Sequence, residues 1–440
     1  MPANTSSSYM RDLQRLLQSL TSVQQTDSIV SLLSDSLRYI RFVEGAPGAG
    51  VTEAPQLMPA VWFAAEKILR LTEGLNQADS LIRSAKLLGT LQLLAPDSSR
   101  RWRELQFGYK LLYRATLGLR LLDHALEHKL LNDEQWQFWY AGRSYNDDDC
   151  SYRNQLQLPL LAAIMLQDGG LLEDEATMLL GGYADHLDTR RRLSNDEREH
   201  YLKVSQRARE KLLQHSLTPL EYRGNSRAER DQFLSLQQQQ LGLIKHWLNN
   251  TDQTQHPSQL LKVVQLYSSM VLPGRDRYQY ESLPKASLLL RDAVSRRQVT
   301  ASWVQHLLKI TGVFPQGYGI AFIPQHSATA GQKYELAIVN QLYPPNLAEP
   351  LCRVVSRNLQ YRRGGHNCQI SVKNNLYFKP ARQRLSVIAP QRLQEILTQL
   401  TTDWQPGQIR HYLPRCWQPQ NFFNDPNHHN LWNNAPQHLN

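Results

Sequence analysis

The sequence has few cysteines and no long apolar segment. Its 440 residues include four cysteines, none of them in a Cys-x-x-Cys pair, so it predicts neither a disulfide framework nor a zinc knuckle. No apolar stretch reaches the ~18–20 residues that a membrane-spanning helix needs, which excludes a membrane span. The polar N-terminus leads directly into an amphipathic pattern, without the basic and apolar parts of a secretory signal, and this favours a cytoplasmic protein.

Acidic residues are outnumbered, since 39 Asp and Glu face 49 Lys and Arg and the formal net charge is +10. An excess of positive charge suits an anionic partner. The basic residues are spread along the helices, as in RRWRE at 100–104 and RRR at 190–192, and are not concentrated in a tail. A nucleic-acid partner is therefore the less favoured interpretation.

The glycine pairs at 169–170, 181–182 and 364–365 lack the spacing and the following lysine of a phosphate-binding loop.

Hydrophobic periodicity divides the chain into regions. Helical spacing predicts an N-terminal helical region over 1–96 and a large helical domain over 100–313. The alternating and β-branched segments that follow predict a small β module over 314–380. A C-terminal helix and its extension are predicted over 381–417, and an Asn-, His- and Gln-rich tail over 418–440 is predicted to be disordered. The predicted fold class is mainly α, with a small C-terminal β module.

Local signals refine these regions. Ser194 is followed by Glu197, which is the spacing of a capping box, and Thr218-Pro219 with Glu221 has the composition of a first helical turn. In the β module, five segments are predicted as strands: GIAFIP, YELAIVNQLY, LCRVVSR, CQISVK and LYFKP.

Residues 260–290 read LLKVVQLYSSMVLPGRDRYQYESLPKASLLL. This stretch resembles the end of an HD-GYP phosphodiesterase domain, in which a helix ending in aspartate and tyrosine leads to an Arg-x-x-Tyr loop and a Pro-x-x-Ala helix start. The similarity continues to Phe314-Pro315-Gln316-Gly317, which stands where the family has a Tyr-Pro-x-Gly turn. The resemblance implies an HD-superfamily-like helical domain over roughly 105–360, with the best match confined to 260–325.

The resemblance aligns the family's metal ligands with residues that are mostly non-ligands. HD-type hydrolases hold two or three divalent ions with clustered His and Asp side chains, because such a centre activates water and neutralises phosphodiester charge. The family's His-Asp pair matches Gln167-Asp168, and the aspartate of its late helix matches Gln265. A carboxamide keeps hydrogen-bonding capacity but is a poor ligand, and neutral glutamines avoid repulsion between buried carboxylates. The resemblance thus implies a former metal pocket rebuilt as a neutral polar core.

The other ligand positions have changed too. Tyr113 or Arg114 stands where the family's first histidine lies, and Ser205-Gln206 stands at its His-Pro pair. In the later histidine-rich stretch of the family, His246 is the surviving histidine. If any metal is retained, Asp168 and His246 are the candidate ligands and the metal is iron or manganese; otherwise no cofactor is expected.

The one place where charge and resemblance both favour an anion is the cluster of Arg275, Arg277 and Lys285. In the family, the equivalent loop borders the cyclic-dinucleotide pocket, so the resemblance implies that phosphate recognition can persist there without hydrolysis. The alternative is a set of basic side chains on a solvated loop. Three further polar runs, at 147–149, 184–188 and 428–429, are interpreted as a polar loop, a solvated helix end and part of the loose tail.

The leading hypothesis is a catalytically inactive HD-GYP-like protein of bacterial type that acts by binding. It would be a regulatory or scaffold module with a protein partner, with cyclic di-GMP as a candidate ligand and a homodimer as a candidate assembly. A first alternative is an active metal-dependent phosphohydrolase with displaced ligands drawn from Asp168, His186, His200 and His246. A second is a basic module that binds protein or nucleic acid through its helices.

Overall fold

The computed structural model describes residues 8–45, 51–181, 191–248, 256–274, 278–324, 334–385 and 414–433. The protein is mainly helical and ends in a small antiparallel sheet, so the predicted fold class is confirmed. None of the helices in these ranges is long and apolar enough to cross a bilayer. The helix predicted within 381–417 falls largely on 386–413, outside the described residues.

Four amphipathic helices form the N-terminal region. The first three each bury one apolar stripe, as the spacing of leucine and isoleucine predicts, and the fourth is buried on all sides over residues 87–93. Ser28 and Asn76 cap two of them, because each side chain accepts a hydrogen bond from the backbone N–H three residues later. The four are α1 (Ser8–Thr21), α2 (Ile29–Val43), α3 (Leu57–Thr72) and α4 (Gln77–Leu94).

The centre of the molecule is a helix that is buried on nearly all sides. It begins as α5 (Trp102–Glu104), widens into a π-turn at Leu105–Tyr109 and continues as α6 (Lys110–Glu127). A second π-turn, Arg153–Gln157, leads into the fully buried α8 (Leu158–Leu166). Around these two helices lie the others: α7 (Glu134–Ala141), α9 (Asp174–Gly181), α10 (Asn195–His215), α11 (Arg227–Leu248), α12 (Ser258–Val271), α13 (Ala286–Ser295) and α14 (Ala301–Thr311).

The N-terminal helices and the central helices share one hydrophobic core. Helix α4 packs on α6, α3 packs on α8, and α1 contacts the π-turn at Leu105–Tyr109. A single cluster of buried apolar residues runs from Leu13 in α1 to Trp432 near the C-terminus. The connection near residue 96 is therefore a link between packed layers.

The sheet contains four strands in the order β1-β2-β3-β6, all antiparallel. Its strands are β1 (Gly319–Phe322), β2 (Glu335–Val339), β3 (Leu351–Val354) and β6 (Asn367–Gln369), and a short ribbon pairs β4 (Ser356–Arg357) with β5 (Gln360–Tyr361). The predicted fifth strand, LYFKP, is a turn that leads into α15 (Lys379–Leu385). The turn forms because the Asn375 side chain accepts a hydrogen bond from the Tyr377 N–H, at 3.0 Å.

Residues 418–433 are packed against the rest of the protein, which differs from the predicted disorder of 418–440. Helix α16 (Gln420–Phe423) places Phe422 and Phe423 in the core, together with Trp432. Just before it, the Trp417 indole donates a hydrogen bond to the Ala337 carbonyl of β2. The composition of the tail is polar, but its few aromatic residues bury enough apolar surface to dock it.

Candidate functional site

Three positions that the resemblance aligns with metal ligands lie together in the interior. The guanidinium Nη2 of Arg114 lies 2.7 Å from Asp168 Oδ2. On the other oxygen, Gln265 Nε2 donates to Asp168 Oδ1 at 3.2 Å. Gln167 Nε2 in turn donates to Gln265 Oε1 at 3.1 Å. Gln167, Asp168 and Gln265, which the resemblance groups together, are thus in contact, and of the two candidates Tyr113 and Arg114 it is Arg114 that contacts Asp168.

The side chains of Arg114, Asp168 and Gln265 come from three packed helices. Arg114 lies on α6, Asp168 follows the end of α8, and Gln265 lies on α12; α6 packs against both α8 and α12. The apolar run of α8 stops at Leu166, so the polar pair Gln167-Asp168 marks the point where the helix leaves the apolar core.

A fifth member, Gln106, was not found from the sequence. Its Nε2 donates to Asp168 Oδ2 at 2.6 Å. Gln106 lies in the π-turn Leu105–Tyr109, whose i→i+5 bonding accommodates an extra residue and rotates the preceding residues by about 100° relative to a regular helix. Regular helical periodicity cannot anticipate that rotation, although π-turns are frequent at functional sites.

Arg114 and Asp168 are both deeply buried, with side-chain exposures of 1% and 4%. A buried carboxylate without a counter-charge is strongly destabilising, and a guanidinium is a permanent cation, so the pair neutralises itself. The two amides add hydrogen bonds to the carboxylate. The Arg114 guanidinium thus supplies, next to the carboxylate, the positive charge that a metal ion would supply in a hydrolase.

Helix α10 covers the group. Tyr201, Ser205 and Arg209 recur every four residues on it, and Ser205 is the position that the resemblance aligned with the family's histidine. Burial, and then the Asp168 carboxylate, raise the pKa of Tyr201. Burial lowers the pKa of Arg209, while the nearby carboxylates of Glu210 and Asp168 act in the opposite direction.

Gly170 allows α10 to approach this closely. A Cβ atom at Gly170 would lie 2.0 Å from the Ser205 carbonyl oxygen and 2.8 Å from the Arg209 nitrogen. The glycine pair at 169–170, which the sequence excluded as a phosphate-binding loop, thus has a packing role at the edge of the site.

The other candidate ligands have different neighbours. His246 is exposed on α11, where its ring contacts Trp136 and His256, at centroid distances of 6.1 and 4.6 Å. His200 pairs with Glu175 at the surface, at 2.8 Å. His186 lies outside the described residues. Among the described residues, the Asp168 carboxylate oxygens contact Arg114 and the amides of Gln106 and Gln265.

The predicted anion cluster is described only in part. Lys285 is exposed at the start of α13, whereas Arg275 and Arg277 lie outside the described residues. The polar run 184–188 also lies outside them.

A second buried ionic group lies further along α6. Arg120 pairs with Glu73 and, at 3.3 Å, with Asp123. Arg143 joins the same two carboxylates, at 2.7 and 3.1 Å. Two guanidinium groups and two carboxylates balance, which explains how α6 can be buried while carrying several charged side chains. These ion pairs connect the end of α3, α6 and the segment after α7. The four charges cancel, so the group has no net charge with which to bind a ligand.

A surface groove lies between α1 and the start of α5. Arg100, Arg101 and Arg103 line it beside Trp102, with Gln14 of α1 opposite. Glu104 takes up part of this charge through a bidentate pair with Arg101. The groove is the place where the excess of basic residues in RRWRE reaches a concave surface.

Comparison of the chain with protein-family models, with curated proteins and with solved structures finds no match. The contacts, burial and charges of the site itself therefore support a functional proposal. A carboxylate that is already engaged by a guanidinium and two amides can hold the fold together, and a metal ion would have to compete with all three for its oxygens.

Proposed function

We propose that this chain is a catalytically inactive HD-GYP-like regulatory or scaffold protein of bacterial type, which acts by binding and not by hydrolysis. The observation that carries the proposal is the buried ion pair between Arg114 and Asp168. In an HD-type hydrolase the equivalent aspartate would hold a metal ion, and here it holds a side-chain cation.

Electrostatics opposes a metal ion in this pocket. A divalent ion placed 4 Å from the Arg114 guanidinium would be repelled by about 8 kcal/mol at an effective dielectric constant near 20. Asp168 would first have to release Arg114 and the amides of Gln106 and Gln265. Without the ion there is no Lewis acid to lower the pKa of water, and no histidine or free carboxylate lies in the group to replace it.

The partner in this proposal is a protein, with a cyclic dinucleotide as a candidate ligand. Lys285 at the start of α13 is exposed, and the sequence has Arg275 and Arg277 within ten residues of it; this local excess of basic residues supports an anion-binding role. A specific observation also favours one rival: the groove at Arg100–Arg103 pairs guanidinium groups with an aromatic ring, as surfaces that bind single-stranded nucleic acid do.

Two assays on the full untagged chain test the proposal. Hydrolysis of cyclic di-GMP is measured with Mn²⁺ or Fe²⁺ present, and binding of the same nucleotide is measured by calorimetry. We expect no metal-dependent turnover. Metal-dependent turnover by the wild-type chain would establish the active phosphohydrolase instead, and steeply salt-dependent binding of RNA or DNA would favour the basic groove.

A further inference from the structure

Three histidines and a glutamate meet at the C-terminal end of α6. The sequence His124-Ala-Leu-Glu127-His128 places its polar residues at positions i, i+3 and i+4, which share one face of a helix. His306 on α14 completes the group, because α14 packs against α6. The group lies about 15 Å along α6 from Arg114, at 1.5 Å per residue, and is therefore separate from the Asp168 site.

The distances suit a single ion. One ligand atom from each of His124, Glu127 and His128 can be chosen so that all three lie within 4.8 Å of one another. The ring centroids of His124 and His128 are 4.0 Å apart, and those of His124 and His306 are 5.0 Å apart. Ligands to one tetrahedral ion at ~2.0–2.1 Å are about 3.4 Å apart, so modest side-chain rotations would close the set. Glu127 and His128 are exposed and can make them.

Hydrogen bonds occupy Nδ1 of His128 and Nδ1 of His124 and leave Nε2 of both rings available. His128 Nδ1 lies 3.0 Å from the His124 carbonyl, which fixes that ring and leaves its Nε2 as the ligand atom. His124 Nδ1 lies 3.3 Å from the Tyr343 hydroxyl. Metal-ligating histidines are typically oriented in this way, by a bond from the ring nitrogen that does not bind the ion.

Two buried ring nitrogens of this histidine group have no hydrogen-bond partner among the described residues. These are Nε2 of His124, a residue that is only 2% exposed, and Nδ1 of His306. A buried polar atom without a partner is destabilising, so such atoms call for a ligand.

We propose that His124, Glu127 and His128 bind one divalent transition-metal ion of the Zn²⁺ class, with His306 as the fourth ligand. Three imidazoles and one carboxylate favour zinc over magnesium, calcium or manganese. The ion would connect α6 to α14, and through Tyr343 to the loop after β2. The site is independent of the proposed function, because it lies outside the Asp168 pocket and needs no hydrolysis.

Zinc alone is the probe. Full-length protein is stripped with a chelator and titrated with Zn²⁺ against a chromophoric competitor. We expect one equivalent to bind. His128→Gln and Glu127→Gln change exposed residues, so they leave the fold intact, and each should weaken binding by at least about tenfold, as loss of metal-site contacts does. His215→Gln, an exposed histidine in the last turn of α10, is the matched control and should bind like the wild type.

Two further readouts make the result decisive. Co²⁺ in the stripped protein should give the visible absorption of a tetrahedral ion, and His306→Gln should change that spectrum. Added Zn²⁺ should raise the Tm of the wild type but not that of His128→Gln, because an ion that binds only the folded state stabilises it. Equal zinc affinity in the wild type, His128→Gln and His215→Gln would overturn the proposal. An unchanged cobalt spectrum in His306→Gln would remove His306 from the ligand set.

Discussion

At the scale of residues, we expect the buried pair of Arg114 and Asp168 to make a large contribution to stability. Asp168→Asn would leave the buried Arg114 guanidinium without a counter-charge. We expect the free energy of unfolding to fall by about 3–5 kcal/mol, which is typical when one partner of a buried pair is removed. Urea denaturation monitored by circular dichroism measures the change.

An exposed pair provides the control. Arg296 and Asp292 lie 2.7 Å apart on the surface of α13, and Asp292→Asn should change stability by less than about 1 kcal/mol. The double variant Arg114→Met with Asp168→Asn should recover part of the loss, since neither charge is then isolated. If Asp168→Asn were as mild as Asp292→Asn, the ion pair would not have the role described above.

The members of this site could be predicted from the sequence to different degrees. Gln167, Asp168 and Gln265 were identified because they occupy aligned positions in a motif, and Arg114 was one of two candidates. Gln106 was missed because a π-turn changes the direction of its side chain, and nothing in the apolar spacing signals that turn. In the histidine group, His124, Glu127 and His128 recur at i, i+3 and i+4 and could have been found from the sequence, whereas His306 is remote in sequence.

At the scale of elements, close packing of α10 on the segment after α8 depends on one glycine. Gly170→Ala would place a methyl group against the backbone of α10, where it has no room. We expect a loss of at least about 1–3 kcal/mol of unfolding free energy, the usual cost of overpacking. Urea denaturation again gives the value.

Gly242→Ala is the matched substitution, because nothing lies within 4 Å of the added Cβ in the middle of α11. Alanine should stabilise that helix by about 0.5–1 kcal/mol. Equal effects of the two glycine substitutions would contradict the packing role of Gly170.

The docked C-terminal segment should respond to pH through His429. Burial lowers the pKa of this histidine, and nearby His428 and Lys86 act in the same direction, whereas the hydrogen bond to the Phe423 carbonyl and the charge of Asp425 oppose it. An undocked segment would therefore take up a proton below about pH 6.5 more readily than the docked one. Docking is most stable above that pH and weakens as the pH falls.

Hydrogen exchange over residues 420–433, corrected for intrinsic rates, measures this effect. We expect protection to decrease between pH 7.5 and pH 5.5 in the wild type and to change less in His429→Gln. Protection that is the same at both pH values in the wild type would contradict the expectation.

Local signals predicted some element boundaries and not others. The capping box of Ser194 and Glu197 is present as expected at the start of α10. Thr218-Pro219 does not begin a helix; the next helix starts at Arg227, and Thr218 and Pro219 lie in the connection that follows α10. A cap motif has no effect without apolar periodicity behind it, and the residues after Pro219 present none.

At the scale of the whole molecule, the N-terminal helices and the central helices form one core. Changes of periodicity correctly separated helices from strands, but they carry no information on which helices pack together. The predicted regions 1–96 and 100–313 share a hydrophobic cluster through contacts of α3 with α8 and of α4 with α6.

One shared core predicts one cooperative transition. Circular dichroism and tryptophan fluorescence should give coincident urea unfolding curves, because neither helical region can lose its packing alone. Two separated transitions, with residues 1–96 unfolding first, would show that the regions are independent.

An anomalous scattering map of a crystal grown with Mn²⁺ tests whether Asp168 binds a metal ion or the Arg114 side chain. We predict that Arg114 will contact Asp168 and that no anomalous peak will lie beside that carboxylate. A pair of manganese peaks beside Asp168, with the Arg114 guanidinium displaced, would contradict the proposed inactive protein and support an active phosphohydrolase.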